Sequence, residues 1–248
     1  MFYTAKGFSI IPGPKHVYWV KPGRSSESPL VFSAGFGIGA GGYVLFINKL
    51  IRQFPDRTVV IFETPYANFR PTAPVATEAE ALREIDDMFL SLGLGQCTWI
   101  GHSFGTNTAS WVVKHRPHYI NKLILVDPVC FRTWDSSLYR SLFYRPSDSV
   151  ESRMFQLFLA QEPNIACAVT RQLNWYENTL FPEQMAMPTE IFFSSFDTLV
   201  DLKGCQDYLQ HRIAKDNLPH IHLNMLPIAR ASFQFSPRSI VKIINAIQ

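Results

Sequence analysis

The chain has 248 residues, 47% of them hydrophobic and 17% charged, with a net charge of +3. A sequence of that length and balance folds around a substantial core and is not disordered. Its Lys and Arg are scattered, which argues against a nucleic-acid footprint, and 20 Phe, 9 Tyr and 5 Trp must sit in a core or around a pocket.

The first elements are two short apolar runs, GFSII (7–11) and HVYWV (16–20), which a Pro-Gly-Pro turn joins into an opening hairpin. Strands follow at 30–34 (LVFSA), 58–62 (TVVIF), 97–101 (CTWIG), 122–126 (KLILV), 190–194 (EIFFS) and 220–225 (HIHLNM). Helical patterns at 42–53, 77–92, 105–115, 203–215 and 237–247 alternate with them. That alternation predicts an α/β protein with a mainly parallel sheet. In the helix over 77–92, Thr77 and Glu80 form a capping box, Leu82, Ile85, Phe89 and Leu92 line one face, and Gly93 closes the end. Ser236 and Pro237 open the last helix as N-cap and first helical residue. The uncharged run 30–48 approaches membrane-spanning length, but its five glycines and its strand-to-helix change argue against a span.

One interval breaks the alternation. About sixty residues lie between the strands ending at Val126 and beginning at Glu190, among them Phe131, Trp134, Tyr139, Phe143, Trp175 and Phe181. A structureless loop of that length is unusual, so 131–188 reads as a helical insertion in a single domain over 1–248. Cys97, Cys130, Cys167 and Cys205 have no C-x-x-C spacing, and the start carries no signal-peptide pattern. Reduced thiols in a cytoplasmic protein are expected, with Cys97 and Cys130 in the core at strand edges.

The stretch TWIGHSFGTN (98–107) carries the chemistry. Gly101-His102-Ser103-Phe104-Gly105 fits G-x-S-x-G, with a strand before it and a helix after it. A sharp turn there lifts the Ser103 hydroxyl clear of the sheet, and the two glycines let strand and helix approach closely. The Phe104 N–H and the helix N-terminus can then stabilise an oxyanion.

With these landmarks the sequence resembles the α/β-hydrolase fold superfamily over nearly its whole length. GFGIG follows the third strand, GHSFG forms the elbow, LILVDP closes the sixth strand, and SSFDTLVD follows the seventh. The resemblance implies a mainly parallel central sheet with an N-terminal hairpin, and it makes the insertion a lid. It also implies a serine hydrolase acting on a carboxylic ester or another acyl compound, with no cofactor and no metal. A rival lies in the same glycines: Gly37, Gly39 and Gly42 satisfy G-x-G-x-x-G, and Glu63 ends the next strand, the layout of a dinucleotide-binding oxidoreductase. Under the hydrolase resemblance this loop supplies a second oxyanion donor, the Phe36 N–H, although the family's His-Gly is here Ala34-Gly35.

The resemblance places the triad acid after the seventh strand, at Asp197, with Asp127 after the sixth as the alternative and Asp201 as a helix-initiating surface carboxylate. It places the base after the last strand, where the sequence has no histidine. The matching position is Arg230, or Ala231 with a one-residue slip. A guanidinium stays protonated and alanine has no base, so neither can accept a proton from Ser103. The other histidines do not substitute. His102 is aimed away by the turn, His220 and His222 begin the last strand at the far end without a third metal ligand, and His115 and His118 lie at a helix end. His16 is on the hairpin and His211 on the penultimate helix. Two readings remain open: an esterase-like serine hydrolase with an incomplete triad, and a catalytically impaired relative that binds a small apolar ligand.

Overall fold

The computed structural model describes residues 2–37, 39–68, 75–144, 153, 162–167, 169–170, 174–197, 199–229 and 232–248. Its strands are β1 (Ser9–Pro12), β2 (Val17–Lys21), β3 (Leu30–Ser33), β4 (Val59–Glu63), β5 (Cys97–His102), β6 (Ile120–Val126), β7 (Thr189–Phe196) and β8 (Ile221–Ala229). They form one sheet in the order β1-β2-β4-β3-β5-β6-β7-β8. The hairpin β1-β2 joins antiparallel, β2 on β4, and every later pairing is parallel.

The sequence explains the layering. Strands β3, β4 and β5 are buried at every residue, as expected for parallel strands covered on both faces. Their side chains alternate between two cores: Val31, Val60 and Trp99 face one side, Phe32, Ile61 and Ile100 the other. The first core is closed by α3 (Glu78–Ser91), α4 (Gly105–His115) and α8 (Leu202–Lys215), the second by α2 (Val44–Gln53) and α9 (Pro237–Asn245). A short α1 (Phe2–Ala5) precedes the hairpin, and α5 (Ser137–Phe143), α6 (Pro163–Cys167) and α7 (Trp175–Asn178) lie between β6 and β7. The edge strand β8 is buried only at intervals.

The caps follow from the residues read above. Thr77 accepts from the Glu80 N–H at 3.2 Å while Glu80 accepts from the Thr77 N–H at 2.9 Å, and Gly93 sits at φ +59°. The Ser236 side chain caps α9, with Pro237 in its first turn. Two details differ from expectation. The helix expected from residue 42 begins at Val44, because Gly39–Tyr43 is a 3-10 turn with its Ala40 N–H held by the Glu63 carboxylate. The four residues of α1 carry too short a pattern to register, and the Tyr3 hydroxyl donates to the Ala40 carbonyl instead.

The run 30–48 is divided between β3 and α2, and no described helix is long and apolar enough to cross a membrane. Cys97, Cys130 and Cys205 are buried, and Cys167 is exposed. Trp99 and Trp111 are fully buried, whereas Trp134 and Trp175, on the insertion, are 45% and 50% exposed.

Candidate active site

Strand β5 ends at His102, in register with Val126 of β6. The next residue, Ser103, turns the chain with a left-handed φ of 49°, a conformation that costs a non-glycine residue roughly 1–2 kcal/mol. Its N–H donates to the Val126 carbonyl at 2.9 Å, and its own carbonyl accepts from the Thr106 N–H at 2.9 Å and the Thr106 hydroxyl at 2.6 Å. Gly105 is sterically required, and Gly101 is closely packed. A Cβ on Gly105 would stand 2.2 Å from the Ser33 carbonyl oxygen, and one on Gly101 would stand 3.2 Å from the Gly105 oxygen. The start of α4 therefore lies directly against β3, and Ser103 is 8% exposed at the seam.

The loop after β3 closes on this turn. A Cβ on Gly35 would meet the Tyr43 hydroxyl at 3.0 Å, His102 Nδ1 at 3.1 Å and Ser103 Cβ at 3.1 Å. The rings of Phe36 and Phe104 stack at 4.3 Å between centroids. Among the described residues, neither the Phe36 nor the Phe104 N–H donates to a protein acceptor. Both residues expected as backbone donors are thus brought together beside Ser103.

Behind the turn lies a buried polar network that the sequence reading missed. The Gly35 N–H donates to the Tyr43 hydroxyl at 2.9 Å, and that oxygen lies 2.7 Å from His102 Nδ1. His102 points into the core, edge-on to Phe233 at 4.8 Å, with Nε2 4.0 Å from Asp127 Oδ2. Asp127, fully buried at φ 47°, accepts from the Ser194 N–H at 2.8 Å and the Ser194 hydroxyl at 2.9 Å. Burial raises the Tyr43 phenol well above its usual range, so it stays protonated. The available signals were a serine in an apolar strand and an acid closing another. Asp127 is more than a turn residue: it ties the ends of β6 and β7.

The acid side is more open. Asp197 is half-buried after β7, and its Oδ1 accepts from the Leu199 N–H at 2.8 Å and the Val200 N–H at 3.1 Å. Strand β8 is last paired at Ala229, opposite Phe196, after an irregularity between Ser194 and Phe196. Arg230 and Ala231, the residues expected at the base position, lie outside the described residues. Asp201 caps α8, accepting from the Gly204 N–H, and holds Arg132 at 2.9 Å.

Four of the other six histidines have work elsewhere. His16 is buried against Glu84, His115 meets Glu78, His220 reaches the Met185 carbonyl at 2.7 Å and His222 reaches Glu190 at 2.8 Å. The His220–His222 pair thus diverges rather than converging, and no cluster of three metal-ligating side chains occurs among the described residues. The dinucleotide layout also fails. The Glu63 carboxylate, which a ribose would need, is 1% exposed and bound to the Ala40 N–H, and a Cβ on Gly39 would meet it at 2.4 Å. It fastens the glycine loop to β4 instead.

The insertion touches both sides of the site. Buried Ile165 and Val169 pack with Phe36, Tyr139, Phe143 and Leu199, so they bridge the loop after β3 and the loop after β7. Lys114 of α4 donates to the Glu177 carbonyl and pairs with Glu78 at 3.1 Å. Further out, Trp134 stacks on Phe181 at 5.9 Å and meets Tyr208 edge-on at 5.5 Å.

A serine on a left-handed tip after the fifth strand, with an acid after the seventh in this strand order, is the layout of the α/β hydrolases. The sequence profile of the alpha/beta hydrolase fold matches residues 29–150. The chain is 28% identical over 110 residues to an sn-1-specific diacylglycerol lipase, ABHD11, of Danio rerio, which is 44% of this chain and 34% of that protein. It is 31% identical over 140 residues to a (lyso)-N-acylphosphatidylethanolamine lipase of Mus musculus, 54% of this chain and 36% of that protein. The matched region thus spans about a third of these curated relatives. Among solved structures, carboxylesterase CesB from Bacillus subtilis superposes with a TM-score of 0.66 at 11% identity, covering 99% of this chain and 95% of that one. The chain has the α/β-hydrolase fold, and the profile of that family matches just under half of it.

Proposed function

We propose that this protein is an esterase-like serine hydrolase in its architecture, acting on a carboxylic ester or a similar acyl compound, with an incomplete triad. Ser103 is the nucleophile, Asp197 the acid, and the Phe36 and Phe104 N–H groups form the oxyanion hole. The observation that carries this reading is the left-handed Ser103 with Gly35 seated against its Cβ. The residues 131–188 act as a cap, for which the contacts of Ile165 and Val169 with Phe36 and Leu199 are the support. An apolar or acyl-containing partner suits that lining, and the lipase names of the curated relatives point the same way. The buried thiols Cys97, Cys130 and Cys205 suit a reducing compartment such as the cytoplasm.

Arg230 stands where the base belongs, so proton removal from Ser103 has no acceptor there. A cation at that place can pair with Asp197 through parallel N–H···O bonds. Turnover is then lower by roughly 10⁴–10⁶ than with a complete triad. The test is labelling by a fluorophosphonate probe, which is expected to be slow in the natural chain, faster in Arg230→His and absent when Ser103 is also replaced by Ala. Rapid labelling of the natural chain would mean that the base lies elsewhere. No gain in Arg230→His would favour the second reading, a protein that holds a small apolar ligand in the same site, for which the cluster around Ile165 is the supporting observation.

A further inference from the structure

We infer that Tyr43 is a positioning residue that fixes the loop Ala34-Gly35-Phe36, and with it the Phe36 N–H, against the Ser103 turn. This inference rests on the oxyanion role just proposed for Phe36. The need for such a residue arises from the loop's own sequence. Position 35 is crowded, since a Cβ would come within 3.1 Å of Tyr43, His102 and Ser103 together. Glycine fits there without displacing any of the three, and glycine is the residue whose φ and ψ are least restricted. The Gly35 N–H and the Phe36 N–H belong to successive rigid peptide planes, separated only by those two soft dihedrals. The crowded position is thus also the one where glycine leaves the loop loosest.

Tyr43 supplies the missing restraint. Its oxygen accepts the Gly35 N–H at 2.9 Å and lies 2.7 Å from His102 Nδ1. A phenol has one proton. With one lone pair taken by Gly35, that proton is directed to Nδ1, which places the imidazole proton on Nε2, the side turned to Asp127 at 4.0 Å. From Gly35 through the Tyr43 hydroxyl to His102 Nδ1, each donor then meets an acceptor. The Tyr43 ring is itself clamped, edge-on to Phe32 at 4.7 Å and tilted against Phe233 at 6.2 Å, so the hydroxyl cannot swing away. Asp127 and the two Ser194 donors anchor the far end on β6 and β7. The network therefore connects the loop after β3 to the ends of β5, β6 and β7, using residues outside the triad.

Tyr43→Phe keeps the ring and removes one oxygen. Three measurements follow. Amide hydrogen exchange at Gly35 and Phe36 is expected to quicken by about tenfold, the loss of one buried hydrogen bond, with Thr108 and Val112 inside α4 unchanged. The nitrogen-15 shifts of His102 are expected to report a single Nε2–H tautomer in the natural chain and a mixture in the variant. On the Arg230→His background, kcat is expected to fall roughly ten- to a hundredfold with KM within about twofold, since a displaced oxyanion donor matters most in the transition state. Unchanged exchange at Gly35 and Phe36, or an unchanged tautomer, would overturn the positioning role. A rise in KM at constant kcat would reduce Tyr43 to a structural residue. If Arg230→His proves inactive, the hydrolase reading fails while exchange and tautomer still decide whether Tyr43 holds the loop.

Discussion

Across the C-terminal edge of the sheet, the β3–β5 side of the site is held by backbone contacts and the β7–β8 side by side chains near a sheet edge. On the first side, Gly105 admits no Cβ without collision, Gly101 is closely packed, and Ser103 is buried in a strained turn. On the second, Asp197 is half-buried, Phe196 is 67% exposed, and β8 is an edge strand with few buried residues. A residue whose place is dictated by backbone sterics cannot be exchanged without moving strands. One that merely projects from an edge can change its chemistry at little structural cost. Under the proposed function, that difference accounts for an intact serine turn in a sequence with an arginine where the base is expected.

The largest effect expected is on the edge side. Arg230→His should raise turnover of short-chain nitrophenyl esters by about 10³ or more, lost again with Ser103→Ala, while shifting the urea midpoint little. A large stability change would break the comparison, because it would make residue 230 a structural member after all. Next comes Gly105→Ala, expected to cost about 3 kcal/mol or more, since its Cβ would meet the Ser33 carbonyl at 2.2 Å. Equilibrium unfolding checks it, and a loss under about 1 kcal/mol would show that α4 can retreat from β3.

The two carboxylates give the finest contrast. Asp127→Ala leaves the Ser194 N–H and hydroxyl without their buried acceptor, at a cost of about 3 kcal/mol. Asp197→Ala is expected to cost under about 1 kcal/mol, because its partners are amides of a partly exposed loop. Equal losses would remove the distinction between the two sides. The smallest effect is Phe196→Ser, within about 0.5 kcal/mol by the same unfolding measurement.

Legibility in the sequence divides along the same line. Strands and elbow are readable because a buried parallel strand demands a continuous apolar run, and Gly105 is demanded by contact distance. The capping box at Thr77 and Glu80 was readable because its partners lie three residues apart. The network of Tyr43, His102, Asp127 and Ser194 was not. Its bonds join residues 59 and 67 positions apart, and no local pattern announces such a pair. Asp127 followed by proline reads as a turn from either side of that distance. Glu63 misled for a related reason: a carboxylate about twenty residues after a glycine loop suits a ribose or the loop itself, and only the contact with Ala40 decides between them.

The division of the tryptophans gives the molecule its own optical probe. Trp99 and Trp111 are sealed inside the core and Trp19 is partly buried on β2, while Trp134 and Trp175 are about half open to solvent on the insertion, Trp134 against Phe181 and Tyr208. A soluble quencher such as iodide reaches the second pair and not the first. Fluorescence from the core indoles therefore serves as an internal standard, and any compound that settles under or displaces the insertion changes the quenchable fraction alone. Occupancy of the site can then be followed without a label, a chromogenic substrate or any turnover, which suits a protein whose chemistry is expected to be slow.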